Sequence, residues 1–151
     1  MNHQNVCNTL AATGINPNAV LLLDGEYMLP TATWVHGTFA SALDSVLKGL
    51  GLTEWSEEAW DCDKFSRLTW AYAGLLWAKT QGRPQTGLAF GVVCYMSERL
   101  GGGHAINVFI HRDSNGQAHV QFVEPQKQLG GRLVEVNLSE AERKTIWSII
   151  F

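Results

Sequence analysis

The residues of this chain best placed for chemistry are Cys62 in DCDKF, His104 in GGGHAIN and Glu124 in FVEPQ. Cys62 falls at the first turn of a long helical pattern. Unpaired backbone N–H groups at a helix start favour negative charge, lower the pKa of a thiol and offer donors to an oxyanion. His104 opens a strand directly behind Gly101, Gly102 and Gly103, where a ligand or another backbone can approach the ring. Glu124 closes the next strand, and Pro125 stops the ladder after it. In a hairpin centred on Asn115, His104 lies almost opposite Glu124, with Cβ atoms about 5 Å apart. The carboxylate would hold the imidazole tautomer and stabilise the imidazolium. Nucleophile, base and orienter together are equipped for acyl transfer through a thioester.

Further candidates surround these three. Gln126 shares the face of Glu124 if the strand continues past Pro125, and its amide is a candidate oxyanion donor or substrate contact. Trp60, with Trp55, precedes Cys62 and is a candidate wall of a substrate cleft. Asp61 and Asp63 flank the thiol, with Glu57 and Glu58 upstream. That acidity raises a thiol pKa unless a cation offsets it, and oxygen ligands of this kind suit Ca²⁺. No spaced ligand set is visible, so Asp61 reads as an N-cap and no metal ligand is assigned. His36 reads as a surface residue, and His111 and His119 as a cross-strand pair. GLGGGH lacks the Lys, Ser/Thr and helix of a phosphate loop.

The elements that must position these groups follow from the pattern. Residues 3–13 read as a short helix closed by Gly14, and residues 19–23 as a strand before the Asp24-Gly25 turn. Phe39, Leu43, Val46, Leu47 and Leu50 recur at helical spacing. A second helix spans 61–80, apolar nearly all round and so expected in the centre of the domain, with Gly82 and Pro84 as its stop. Strands follow at 88–96, 104–112, 118–124 and 132–136, with turns at Ser114-Asn115-Gly116 and Gly130-Gly131. Ser139 and Glu142 form a capping-box pattern for a last helix to about Ile150. Helices first and antiparallel strands second imply an α+β fold, one domain over residues 1–151.

Composition narrows the partners. Hydrophobic residues make up 46% and charged residues 17%, which excludes a disordered chain. A formal charge of −3, with Arg143-Lys144 the sole adjacent Lys/Arg pair, excludes nucleic acid as the main partner. No apolar run approaches the ~20 residues of a membrane span, so no membrane partner is expected. The N-terminus lacks a secretory pattern, and Cys7, Cys62 and Cys94 are odd in number. These features predict free thiols in the cytoplasm, or delivery with a virion or by lysis. The sequence assigns no oligomeric state.

The chain order of nucleophile on a helix, base on a strand and acid on the next strand resembles the papain-like cysteine peptidases and the related transglutaminases. DCDKF, GHAIN and FVEPQ are most similar to segments of the cysteine-peptidase domain at the C-terminus of the mushroom agglutinins, which are lectin–peptidase chimeras. The match spans about residues 27–126. The resemblance implies a papain-like or transglutaminase-like fold, in which a central Cys-bearing helix packs on an antiparallel sheet carrying His and Glu. It implies the catalytic half alone, without a lectin module. It makes Cys62 the nucleophile, His104 the general base and acid, and Glu124 the orienter of a cysteine hydrolase, a thiol protease with a catalytic triad acting on a peptide or protein substrate. The agglutinin domains require calcium, so the resemblance admits Ca²⁺ as a cofactor where the sequence requires none. DCDKF and GHAIN also resemble the DCSG and GHV segments of papain-like murein endopeptidases, with Lys64 in place of the glycine. A phage or bacterial cell-wall enzyme is therefore an alternative, and a non-catalytic papain-like binding module is another.

Overall fold

The computed structural model describes residues 1–52, 61–82, 85–126 and 132–151. In chain order these form α1 (His3–Ala11), a 3-10 turn (Pro17–Ala19), β1 (Val20–Leu21) and β2 (Tyr27–Met28). A π-helical turn (Trp34–Phe39) leads into α2 (Ala40–Gly49), and α3 (Cys62–Thr80) follows. The remainder is β3 (Gly87–Leu88), β4 (Phe90–Ser97), β5 (Gly102–Arg112), β6 (Ala118–Glu124), β7 (Val134–Val136), α4 (Glu140–Lys144) and β8 (Ser148–Ile150). The architecture is α+β, as the order of elements predicts.

The main sheet runs β1-β8-β4-β5-β6-β7, and β2 and β3 pair separately. All neighbours in the main sheet are antiparallel except β1 and β8. β4 and β5 sit mid-sheet, which explains their near-continuous apolar runs: a strand covered on both faces has little need of alternation. Val6 and Leu10 of α1 pack with Val93, Ile106, Val108 and Ile149 in one cluster. Phe39, Leu43 and Leu47 meet Phe65, Ala73 and Trp77 of α3 over Phe90, Phe109 and Val123 in the other.

Two expectations are corrected here. α3 is not buried all round: Phe65, Ser66, Thr69, Ala73 and Trp77 form its buried stripe, while Leu75 is 67% exposed. The last helix stops at Lys144 instead of running to Ile150. Its capping box forms as read, with Ser139 and Glu142 bonding each other's backbone N–H. Beyond it, β-branched Ile149 and Ile150 pair with Val93 and Val92 on the open side of β4. There they satisfy backbone groups that a longer helix would have left bare. Pro84 and the Gly130-Gly131 turn lie outside the described residues.

Gly91 faces this added strand. A Cβ there would collide with the Ile150 carbonyl oxygen and lie 3.2 Å from the Phe151 ring. Gly91→Ala is expected to lower stability by about 1–3 kcal/mol. Gly74→Ala, in α3 with nothing within 4 Å, is expected to raise it by about 0.5–1 kcal/mol. Urea midpoints of the two variants check the opposite signs, and equal midpoints would contradict the packing.

Candidate functional site

Cys62 opens α3, and Asp61 caps that helix by accepting the Lys64 backbone N–H at 3.5 Å. Cys62 is partly exposed. One turn on, Ser66 Oγ lies 2.8 Å from the Cys62 carbonyl and 2.9 Å from that of Ala105 in β5. Asn107, also in β5, donates through Nδ2 to the Ser66 carbonyl and to that of Gly91 in β4, both at 2.9 Å. Ser66 and Asn107 are fully buried. Together they bolt the start of α3 to the two middle strands, one residue from His104. Sequence reading missed both. The available signals were a serine four residues after Cys62 and an amide inside the apolar run HAINVFIHR.

His104 is buried, and its Nε2 is 2.8 Å from Glu124 Oε2. The same ring is hydrogen-bonded to Cys62. Glu124 Oε1 accepts the Gln126 backbone N–H at 2.9 Å, so both carboxylate oxygens are held. The three residues singled out from the sequence therefore meet, in the hairpin centred on Asn115. The β5–β6 ladder pairs His111 with His119 and Asn107 with Val123. Continued, it sets position 126 opposite His104, and Glu124 reaches the ring diagonally, within the span of a long side chain.

Burial opposes charge on the His104 ring, but hydrogen bonds to Cys62 and Glu124, with their charges, outweigh it and bring its pKa to about 9. The imidazole is thus protonated at neutral pH. Burial pushes the Cys94 thiol up, and the neighbouring Cys62 adds to that shift.

Among the described residues, the remaining candidates do not converge on a cation. Asp63 hydrogen-bonds Asp61, which lowers Asp61 and raises Asp63, and Lys64 and Arg67 take the outer oxygens at 3.3 and 3.4 Å. Among the described residues no group of three His, Cys, Asp or Glu side chains is placed to hold a metal ion. Asp61 and Asp63 are thus engaged with each other and with Lys64 and Arg67. His111 and His119 do pair across the strands, 5.8 Å between ring centroids, with His119 on Asp113 at 3.0 Å. His36 is exposed, its Nδ1 3.0 Å from the Leu133 carbonyl oxygen. Gln126 is buried at 2% exposure. Trp60, Trp55, Glu57 and Glu58 lie outside the described residues. No described helix is long and apolar enough to cross a membrane.

No protein-family model matches the chain, and no curated protein does. Solved structures do. One is the PSL1a–E64 complex, 25% identical, with a TM-score of 0.70 over 100% of this chain and 50% of that one. Another is the Polyporus squamosus lectin bound to the human-type influenza-binding epitope Neu5Acα2-6Galβ1-4GlcNAc. It is 25% identical, with a TM-score of 0.67 over 98% of this chain and 48% of that one. The chain spans about half the length of these neighbours. They are structures of a lectin, and neither is named a peptidase. The identification with a cysteine-peptidase domain, and with it the enzyme, hydrolase, thiol-protease and catalytic-triad reading, is corrected on this finding. The Cys62–His104–Glu124 contact stands as geometry; its likeness is to half of a lectin chain.

The raised pKa of His104 carries a pH signature. A group charged more readily in the folded state adds stability below its unfolded value, 6.5, and that stability is lost as pH rises through about 9. The native chain is expected to lose of the order of 3 kcal/mol across this window. Glu124→Gln is expected to flatten the loss, as read by urea unfolding on either side of the window. Parallel pH profiles for the two proteins would contradict the assignment.

Proposed function

We propose that residues 1–151 act as one ligand-binding module, built on a papain-like helix-on-sheet scaffold and not used for hydrolysis. The observation that supports the reading is similarity along the whole chain to half of a lectin. The glycan on that lectin makes a saccharide the first ligand class to test, in place of a peptide substrate. Cys62, His104 and Glu124 form the module's reactive polar centre, with Gln126 holding the carboxylate through its backbone N–H. Cys62, at the start of α3 and beside the His104 ring, is the nucleophile this centre offers to an electrophile.

Intact mass measurement after incubation with E64 near neutral pH tests the centre. The expected result is a single adduct on Cys62, absent from Cys62→Ala, with Cys7 and Cys94 unmodified. A parallel assay with fluorogenic peptide amides is expected to show no turnover that depends on Cys62. Failure to form the adduct overturns the reactive centre, and turnover lost in Cys62→Ala overturns the binding reading.

A further inference from the structure

Glu124 reaches back onto its own chain: the Gln126 backbone N–H that it accepts lies two residues on, across Pro125. The carboxylate can hold the His104 ring only while that turn keeps its shape. Proline fixes one backbone angle of the turn and supplies no N–H to tie it down. Its carbonyl is tied instead by Arg132, whose Nη1 donates to it. Pro125 is buried, as are Glu124 and Gln126, and a buried carbonyl needs such a donor.

Arg132 is itself anchored on a distant element. Its Nη2 lies 3.4 Å from Asp44 Oδ1 in α2, and its side chain is only 6% exposed. Asp44 Oδ2 lies 2.7 Å from Lys48 Nζ, one turn along the same helix. A buried guanidinium is tolerated where a carboxylate and fixed acceptors meet its fork of N–H donors. Here one arm of the fork meets α2 and the other meets the turn behind Glu124. The next residue is set as firmly. Leu133 has a φ of 53°, a left-handed conformation that a Cβ makes costly, and it is 1% exposed. It packs in the cluster of α2 and α3, and its carbonyl oxygen lies 3.0 Å from His36 Nδ1. Such a conformation persists only where the surroundings over-determine it. Both anchors, His36 and Asp44, belong to the helical stretch 34–49.

We propose that Arg132, anchored on Asp44, is a positioning residue of the reactive centre. It fixes the Pro125 turn, the turn fixes the Glu124 carboxylate, and the carboxylate holds the His104 ring beside Cys62. This rests on the reactive centre proposed above and adds to it a residue that acts through Glu124. The role needs the planar fork: a lysine ammonium is a point charge and does not reproduce a group that bonds two partners at once. Losing the fork lets the carboxylate swing, which weakens its bond to the ring and the ring's hold on its proton.

The test compares the full chain with its Arg132→Met, Arg132→Lys and Asp44→Ala variants. Three quantities are read: the urea midpoint, the NMR titration of the His104 ring nitrogens, and the rate of E64 adduct formation on Cys62. The ring is faced by Cys62, Glu124 and Tyr95, none of which these substitutions changes. In Arg132→Met the deprotonation of His104 is expected to move down by about one pH unit, a ten-fold loss of proton affinity. The adduct rate is expected to fall with it, and Asp44→Ala to move both readouts the same way by less. Arg132→Lys keeps the charge, covers the case in which the methionine variant does not fold, and is expected to show the same fall. Folded variants that lose stability but keep the native His104 titration and adduct rate overturn the proposal, since Arg132 is then a packing contact alone. A native chain that forms no adduct overturns the reactive centre instead, and the His104 titration of the variants still decides the role of Arg132.

Discussion

A buried imidazole held against a buried carboxylate is the constraint on which this structure turns. His104 and Glu124 are 5% and 2% exposed, and their side chains meet at 2.8 Å. Neither charge is tolerable there alone. Each oxygen of Glu124 has a donor, one the ring and the other the Gln126 backbone N–H. With Nε2 given to the carboxylate, the ring also interacts with the side chain of Cys62. Removing either member would leave an uncompensated charge inside the protein, which is far more damaging than never having had the pair.

The pair also explains why α3 starts where it does. A thiol responds to the imidazole only if the helix start stays in register with β5. Ser66 and Asn107 enforce that register through carbonyl groups of α3, β4 and β5. The helices on the other side of the sheet, with β8 closing the flank of β4, keep this end of the molecule dry enough for the contact to count.

Much of this was legible in the sequence because it is local. The Asp61 cap, the capping box at Ser139 and the turn at Asn115 are short-range chemistry, and each forms. Cys62, His104 and Glu124 could be named because a helix start and two strand ends are recognisable positions. What was not legible depends on distant partners. Ile149 and Ile150 read as a helix tail because their strand partners lie far away in the chain. Arg132 joins the turn behind Glu124 to α2 from separate segments. Three motifs brought the right residues together, yet the function they implied was overtaken by likeness to a lectin, since a constellation and its use are separate matters.

The central claim is that His104 carries a proton at neutral pH because Cys62 and Glu124 hold it there. The most direct measurement is an NMR titration of the His104 ring nitrogens in the native chain. The account predicts an imidazolium at pH 7 that loses its proton near 9, with the Nε2 proton slowed in exchange by its bond to Glu124. A neutral ring at pH 7, titrating at or below the ordinary histidine value, would contradict it.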